Sequence, residues 1–414
     1  MWHDMARRKR QSWRRLGARL NLAILLVGLL AIVTQGTAQS QSPVQPPQPS
    51  VKKEPGKKDA KAEKPTPYTS AILIEPETGK VLFEKDPHTP LPPASMVKMM
   101  VALIVMEKVR DEAIHLTDTV TVSGWASKMG GSQVYLKEGE TMTIQDLLEA
   151  MMVHSANDAT AALAEYVAGS GEAFVDLMND RAEKLGLKET RYYSVHGLPP
   201  EPGQEDDVMS AADLATLGRE VTKFPEIVEW VALTQAPFRD GEFTLVNPNR
   251  LLREYAGADG IKTGYHNKAG FCVTGSAKRG DLRLIVVVMG APTKPDCFKS
   301  AAQLLNQGFA NYRMFVPVKG NAVLEGKDAV VRGGVTDRVP LVAKQDVKVL
   351  VKKGEEKKVQ VEVKVPDRVW APLTTGQPVG EIVVSLDGAV VGKTEVAAAK
   401  DVAQASWWRR WWPF

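Results

Sequence analysis

Three short polar motifs, far apart in the chain, set the strongest constraint on how this protein can fold. They are S-x-x-K at Ser95–Lys98, S-x-N at Ser155–Asn157 and K-T-G at Lys262–Gly264. The second begins 60 residues after the first, and the third begins 107 residues after the second. Each motif is common alone, and residues 50–53 also match the first pattern. The order gains a chemical meaning only if the fold gathers all three in one crevice.

The first motif has the composition of an activated nucleophile. Ser95 and Lys98 lie on one face of a helix, so the hydroxyl and the amine can meet. A serine needs a base to become a nucleophile, and burial of Lys98 in the apolar run 96–106 favours its neutral, basic form. The alternative is a helix N-cap serine followed by a lysine whose ammonium reaches water.

The other two motifs suit substrate binding. Ser155 and Asn157 interrupt an otherwise helical stretch, 143–166, where they could line a cleft, relay a proton and bind an amide. Lys262 and Thr263 provide an ammonium and a hydroxyl for a carboxylate, and Gly264 allows a substrate backbone to approach a sheet edge. The alternatives are a local turn or cap for the second motif, and a β-turn with a solvated lysine for the third.

Hydrophobic patterning divides the middle of the chain into two domains. Residues 67–315 mix helices with strands, including a hairpin over 68–84, a buried helix over 94–109 and two strands joined by a turn at 279–281. Residues 316–396 carry short strands, and the valines at 359, 361, 363 and 365 alternate with polar residues. This pattern predicts an α/β (α+β) domain followed by a small β-sandwich with one buried and one wet face.

The two ends of the chain indicate export and attachment to a membrane. Residues 1–38 combine a basic start, an apolar run too short to span a bilayer and small residues near Ala38, which is typical of a signal peptide. An uncleaved anchor is the alternative. Residues 39–66 form a Pro/Lys-rich linker. Residues 397–414 are expected to form an amphipathic tail, helical from Ala397, that ends in four Trp and two Arg. This composition favours peripheral attachment to the inner membrane over packing on the domain itself.

Charge and cysteine content exclude several classes of partner. The net charge of +4 arises in residues 1–38, and the remainder holds 46 basic and 48 acidic residues, so nucleic acid is not an expected partner. No His, Cys, Asp or Glu residues have metal-ligand spacing, and no cofactor is expected. His154 is expected to be a packing or surface residue, and His196 is expected to fix a loop rather than to shuttle protons. The two cysteines, Cys272 and Cys297, could pair in an oxidising compartment, and the sequence leaves this open.

The motif order is the signature of penicillin-binding proteins and class A β-lactamases. More closely, residues 68–395 resemble the low-molecular-mass penicillin-binding proteins that are serine-type D-alanyl-D-alanine carboxypeptidases (peptidase family S11). The resemblance includes the segments PASMVKMM, GGSQVYLKEGE, HSANDAT, GIKTGYHNKAGF, LIVVVMG and LTTGQPVGEIVVSLDG. It implies a penicillin-binding or β-lactamase-like transpeptidase domain, with an antiparallel sheet and a helical cluster, followed by the β-sandwich.

The resemblance also implies an activity and its residues. The enzyme would remove the terminal D-Ala from peptidoglycan stem pentapeptides in the periplasm, and β-lactam antibiotics would be covalent inhibitors. Ser95 would be the acylated nucleophile, Lys98 its base, and Ser155 would pass a proton to the leaving amine.

Substrate contacts follow from the same resemblance. Asn157 would hold the substrate amide, and Lys262 and Thr263, beside Gly264, would bind the terminal carboxylate. The backbone N–H of Tyr265, with that of the nucleophile, would form the oxyanion hole.

Two departures and three other functions stay open. Relatives often place an arginine where Cys297 falls, so either Lys294 substitutes for it or the carboxylate relies on Lys262 and Thr263; some relatives also have histidine in place of Tyr265.

The same motifs are compatible with a D,D-endopeptidase or a β-lactamase, and a non-catalytic peptidoglycan-binding scaffold is the alternative outside enzymes. The β-domain, the tail and the lack of an obvious acidic residue for deacylation argue against a β-lactamase, and the intact motifs argue against a scaffold.

Overall fold

A computed structural model of the protein describes residues 66–406. The predicted signal peptide (1–38), residues 39–65 of the predicted linker and residues 407–414 of the predicted tail lie outside the described residues. Between residues 66 and 406, no helix combines the length and apolarity needed to cross a bilayer. The three motifs and the β-rich half both fall inside this part.

The helices and strands alternate in the first half and give way to strands alone in the second. The helices are α1 (Lys98–Arg110), α2 (Ile144–Glu149), α3 (Asn157–Ala168), α4 (Gly171–Leu185), α5 (Ala211–Val221), α6 (Pro225–Ala232), α7 (Leu251–Glu254) and α8 (Lys294–Asn311). The strands are β1 (Ser70–Glu75), β2 (Lys80–Lys85), β3 (Thr119–Thr121), β4 (Thr141–Thr143), β5 (Gln235–Phe238), β6 (Phe243–Val246), β7 (Ala258–His266), β8 (Gly270–Arg279), β9 (Leu282–Ala291), β10 (Tyr312–Val318), β11 (Val323–Arg332), β12 (Arg338–Ala343), β13 (Val347–Lys352), β14 (Val359–Lys364), β15 (Val369–Trp370), β16 (Pro378–Leu386) and β17 (Ala389–Ala398).

A five-stranded antiparallel sheet, in the order β2-β1-β9-β8-β7, forms the centre of the first half. Alternate residues of β9 face opposite sides: Ile285 and Val287 belong to the core shared with α1 and α5, whereas Val286 and Val288 pack with α8. Because helices cover both faces, β9 reads as a continuous apolar run. β7 is the outer strand, so one of its edges has no strand partner within the part of the chain that the structure describes.

Most of the predicted elements of this half are confirmed. The hairpin is β1–β2, and the turn at 279–281 joins β8 to β9. The predicted helix over 94–109 begins differently, because Ala94–Val97 is a 3₁₀ turn and α1 starts at Lys98. The interruption in the helical stretch 143–166 is a π-helical turn, Ala150–His154, followed by a break at Ser155.

The second half is a β domain around its own core. Six strands pair in the order β14-β16-β17-β12-β11-β15, and β10 pairs with β13. Val359 and Val363 are partly buried against the core as predicted. Val361 is 45% exposed, so the prediction of a fully buried face on this strand is wrong. The physical reason is that β14 lies at the edge of its sheet: among residues 66–406, its single strand neighbour is β16.

The predicted boundary between the β domain and the tail, at residue 397, differs from the structure. β17 continues through Ala398, and Val402 and Gln404 form bridges with Leu373 and Gly334. The Ala405 N–H also donates to the Gly333 carbonyl at 2.8 Å. Residues 397–405 are therefore part of the β domain, and a helix starting at Ala397 is not formed.

Candidate active site

The S-x-x-K motif occupies the junction between the 3₁₀ turn and α1. Pro92 and Pro93 lead into the turn, and Ser95 remains half-buried while the residues around it are buried. One turn later, the Lys98 Nζ lies 2.9 Å from the Ser95 Oγ. The structure therefore brings the predicted nucleophile and base into hydrogen-bond contact, which is the geometry that proton transfer needs.

Lys98 has the environment of a basic amine. It is 0% exposed and its Nζ also donates to the His196 carbonyl at 2.9 Å. Burial, together with the positive charge of Lys262, holds the pKa of Lys98 well below its ordinary value. A neutral amine next to a serine hydroxyl can accept the hydroxyl proton, whereas an ammonium cannot.

Ser155 sits at a strained break between two helical segments. The π-helical turn ends at His154, Ser155 has φ 69° in the left-handed region, and α3 begins at Asn157. A non-glycine residue rarely adopts this conformation, which is concentrated at functional sites. The break places the Ser155 hydroxyl 2.9 Å from the Lys262 Nζ.

Asn157 lies behind the crevice wall. It is 2% exposed, and its Nδ2 donates to the Gly130 carbonyl at 2.7 Å. Its Oδ1 is buried without a hydrogen-bond partner among the described residues. An unsatisfied buried acceptor next to Ser155 can receive a substrate N–H.

The K-T-G motif lies on β7, the open edge of the sheet. Lys262 is 2% exposed and also donates to the Thr263 carbonyl at 3.2 Å. Burial lowers the pKa of Lys262 to about 7. Gly264 packs on the 3₁₀ turn so closely that a Cβ there would press into the Pro93 carbonyl oxygen. Only glycine lets this edge strand approach the nucleophile.

A cavity of about 250 Å³ connects these groups. Its lining combines the hydroxyls of two motifs with the edge of β7 and the start of α8: Ser95, Ser132, Ser155, Pro248, Thr263, Gly264, Tyr265, Phe271, Cys272, Lys294, Cys297 and Phe298. Lys98 and Lys262 lie beneath it and reach it through the two serine hydroxyls. The crevice thus brings two serine–lysine pairs together, and the open strand β7 contributes the lysine of one of them.

The structure adds a second basic side chain to the predicted carboxylate-binding site. The Lys262 ammonium, predicted to bind a carboxylate, is buried against Ser155 and the Thr263 carbonyl. Lys294, at the start of α8, is exposed and lines the cavity directly. The cavity therefore offers a second, solvent-accessible cation beside Thr263.

The loop that supports Lys98 carries only a weak signal in the sequence. His196 was predicted to fix a loop rather than to shuttle protons, and its Nδ1 accepts the Leu198 N–H at 3.1 Å. Burial, with the nearby charge of Lys98, lowers the pKa of His196 to about 4, so the ring is neutral. A Cβ at Gly197 would press into the Ala94 carbonyl. The Val-His-Gly-Leu segment in the sequence was the only signal of this contact.

His154 also has a packing role, as expected. Its Nδ1 accepts the Val246 N–H at 3.1 Å, and its ring packs edge-on against Phe243. Between residues 66 and 406, no group of three or more His, Cys, Asp or Glu side chains could hold a metal ion.

The two cysteines are not joined by a disulfide. Cys272 on β8 and Cys297 on α8 are both free and buried, and both line the cavity. Burial raises the pKa of Cys272 to about 11 and also raises the pKa of Cys297. Both thiols therefore stay protonated at neutral pH and make poor nucleophiles.

Comparison with known proteins gives matches along most of the chain. Residues 58–293 match the family model of D-alanyl-D-alanine carboxypeptidases, and residues 312–404 match the C-terminal domain of penicillin-binding protein 5. The D-alanyl-D-alanine carboxypeptidase DacF of Bacillus subtilis is 38% identical over 340 residues, which cover 81% of this chain and 86% of the relative.

Two solved structures show the same similarity. Penicillin-binding protein 5 from Haemophilus influenzae has a TM-score of 0.64 at 30% identity, covering 83% of this chain and 100% of that one. Penicillin-binding protein D2 from Listeria monocytogenes, in its ampicillin-bound form, has a TM-score of 0.54 at 30% identity, covering 59% of this chain and 98% of that one.

Proposed function

Because the chain belongs to the D-alanyl-D-alanine carboxypeptidase family, we propose that it cleaves the terminal D-Ala from peptidoglycan stem pentapeptides through an acyl-enzyme on Ser95. The observation that carries this proposal is the pair of 2.9 Å contacts, Lys98 Nζ to Ser95 Oγ and Lys262 Nζ to Ser155 Oγ, at one cavity. One pair supplies a nucleophile with its base, and the other supplies a proton for the leaving group.

Acylation follows from the first pair. The Ser95 Oγ attacks the carbonyl carbon of the D-Ala-D-Ala bond and gives its proton to the neutral Lys98 amine. The backbone N–H groups of Ser95 and Tyr265 stabilise the oxyanion. Removal of one such donor typically lowers the rate of the chemical step by about 10²–10³.

The second pair serves the leaving group. As the C–N bond breaks, the departing D-Ala amine takes a proton through the Ser155 hydroxyl, which the Lys262 ammonium replenishes. Lys98 then releases to solvent the proton that it took from Ser95, and Lys262 takes a proton back, so both lysines return to their starting states. A Lys262 pKa near 7 suits this role, because the group can both hold and release a proton near neutral pH. Water then attacks the ester carbonyl, its hydroxyl stays on the acyl group, and its proton returns to the Ser95 oxygen.

Substrate binding uses the open edge of β7. An extended peptide can add to an unpaired strand edge through backbone hydrogen bonds, and Gly264 keeps that edge clear of side chains. Asn157 receives the substrate amide, and Lys262 with Thr263 receives the terminal carboxylate. Lys294, exposed at the same cavity, provides the additional cation that favours a free carboxylate over an amide.

The same chemistry makes β-lactams covalent inhibitors. A β-lactam presents a strained amide and a carboxylate to the crevice, and its opened ring stays attached to Ser95. The ampicillin-bound structure of the related Listeria protein supports this proposal. In the cell, removal of the terminal D-Ala would limit the donor peptides available for cross-linking and so regulate the wall.

The location proposed for the enzyme is the periplasm, with peripheral attachment to the inner membrane. The support comes from the sequence: the signal-like residues 1–38 and the Trp/Arg segment 407–414. Both lie outside the described residues.

A combined labelling and product assay tests the proposal. Intact-mass spectrometry after penicillin treatment should show one added drug mass, absent in Ser95→Ala, and the wild type should release D-Ala from a stem pentapeptide. Ser127→Ala is a matched control, because its hydroxyl bonds the Gly124 carbonyl outside the cavity. An adduct surviving in Ser95→Ala would exclude the acyl-enzyme, rapid drug turnover would indicate a β-lactamase, and release of monomers from cross-linked dimers would indicate an endopeptidase.

A further inference from the structure

One end of the β domain carries an exposed tryptophan next to the point where the chain leaves the described structure. Trp370, on β15, is 73% exposed, the highest value among the exposed large apolar side chains of residues 66–406. Large aromatic side chains are normally at least partly covered in soluble domains. The exposed Val330 and Val335 lie nearby, so the indole belongs to an apolar patch and is not a single exposed residue; such patches mark interaction sites.

The strand register places further exposed side chains around Trp370. β15 pairs in parallel with β11, opposing Arg332 to Trp370, while the preceding pair, Val331 and Val369, is buried. Because side chains alternate along a strand, the outward face carries Trp370 together with its neighbours in register. We call this face the exit surface; it comprises Val330, Arg332, Val335, Arg338, Arg368 and Trp370, all of them exposed.

Backbone hydrogen bonds fix the exit surface beside residues 402–406. The Ala371 N–H donates to the Arg332 carbonyl at 2.9 Å, and the Ala405 N–H donates to the adjacent Gly333 carbonyl at 2.8 Å. The Val335 N–H donates to the Ala403 carbonyl at 3.0 Å. The chain thus leaves the domain at Ser406 alongside Trp370.

Covalent geometry links this surface to the Trp/Arg segment. Trp407 and Trp408 follow Ser406 directly, and two residues span at most ~7 Å. If those tryptophans lie at the headgroup level of a bilayer, the exit surface must lie close to the same level. An exposed indole at that depth gains affinity, because tryptophan prefers the membrane–water interface.

We propose that the exit surface docks on a bilayer containing anionic phospholipid, with Trp370 inserted at the headgroup level as a second contact besides residues 407–414. This inference rests on the proposed membrane attachment of the tail. Arg332 and Arg368 flank the indole and can reach lipid phosphates, while Asp337 and Asp367 at the margin keep the surface itself from being strongly cationic. Two contacts on one domain also set its orientation relative to the bilayer, which a single contact would not.

Vesicle binding by the full chain tests the proposal. The probes are vesicles of phosphatidylglycerol with phosphatidylcholine, and of phosphatidylcholine alone. Trp370→Ala is expected to weaken sedimentation with the anionic vesicles about fivefold, in keeping with partial burial of one large apolar side chain. Val390→Ala is the control and should bind like the wild type: Val390 is also exposed, but it lies beside the β16–β17 turn, at the opposite end of β17 from the exit surface.

A fluorescent label gives a readout independent of affinity. Both native cysteines are buried, so Thr336→Cys, beside Val335, can be labelled selectively with an environment-sensitive dye. The dye should brighten with anionic vesicles at position 336 and stay unchanged at a control label, Val390→Cys.

The possible results separate this inference from the attachment it rests on. Binding that is lost on deletion of 407–414, but unchanged in Trp370→Ala and silent at position 336, would overturn the exit-surface contact and leave the tail attachment standing. Absence of any vesicle binding by the full chain would overturn both. A dye already bright without vesicles, and dimmed by the deletion, would show that the tail packs on Trp370 instead, which also overturns the inference.

Discussion

Replacing Lys262 with methionine is expected to stabilise the protein while disabling its chemistry. Lys262 is 2% exposed, and burial lowers its pKa to about 7. The difference from the ordinary value of 10.5, at about 1.4 kcal/mol per pH unit, amounts to about 5 kcal/mol of unfavourable free energy in the folded state. Methionine avoids this cost but loses a charge-assisted hydrogen bond to Ser155, worth about 1.5–3 kcal/mol. We therefore expect Lys262→Met to be about 2–3 kcal/mol more stable at pH 6.

The pH dependence of this effect has a defined sign. The unfolded lysine binds its proton more tightly than the folded one, so the unfolded wild type holds more protons between about pH 7 and 10.5. The free energy of unfolding of the wild type therefore rises with pH across that window. Below pH 7, Lys262 is protonated in both the folded and the unfolded protein, so the full free-energy cost of burying its ammonium is present. The methionine variant lacks this contribution, and its advantage should shrink by roughly 2–3 kcal/mol between pH 6 and pH 9.

Urea unfolding at the two pH values, with acylation by penicillin measured in parallel, checks this reasoning. Acylation should fall by about 10²–10³, in line with the loss of one electrostatic contact to the reacting groups. Lys294→Met is the matched control: the residue is exposed at the same cavity, and its free energy of unfolding should change by less than about 0.5 kcal/mol. A less stable Lys262→Met at pH 6, or the same difference at both pH values, would refute the argument from burial.

Two further variants test the crevice. Gly264→Ala should lower the free energy of unfolding by about 1–3 kcal/mol and slow acylation, because the new methyl group meets the Pro93 carbonyl. Gly130→Ala is the control: its Cβ would have nothing within 4 Å, so the same denaturation assay should give nearly the wild-type free energy of unfolding. Equal effects in the two would contradict the packing argument. Lys294→Ala should raise KM about tenfold for peptides with a free terminal carboxylate and little for their amides, whereas Lys299→Ala, exposed further along α8, should do neither. Equal KM changes for acid and amide would remove Lys294 from carboxylate recognition.

Local sequence signals located much of the fold correctly. The Pro-Glu-Thr-Gly turn marks the β1–β2 hairpin, and the Arg-Gly-Asp turn marks β8–β9, because turn residues between apolar runs have few other conformations available. Gly186 ends α4 in the left-handed conformation, which glycine adopts at helix C-termini more readily than any other residue. These features depend on neighbours along the chain, so the sequence contains them directly.

Details that depend on distant contacts were not predictable in the same way. The valine alternation in β14 indicated a buried face, but Val361 is exposed because the sheet ends at that strand. Residues 397–405 looked like the start of a helical tail, whereas bridges to Leu373 and Gly334 hold them in the β domain. The cavity between β8 and α8, with Cys272 and Cys297 in its wall, also depends on how a helix packs on a sheet.

The same distinction between local sequence and distant contacts applies to the active-site residues. Their types and order along the chain are properties of the sequence, because Ser95 and Lys98 are one helical turn apart and need only local geometry to meet. What the tertiary structure alone decided is the electrostatics: the pKa values of Lys98 and Lys262 fall below the ordinary lysine value only because packing of the helices and β7 removes water from both amines. Desolvation depends on the atoms that surround a group in space, and these come from segments more than 100 residues apart.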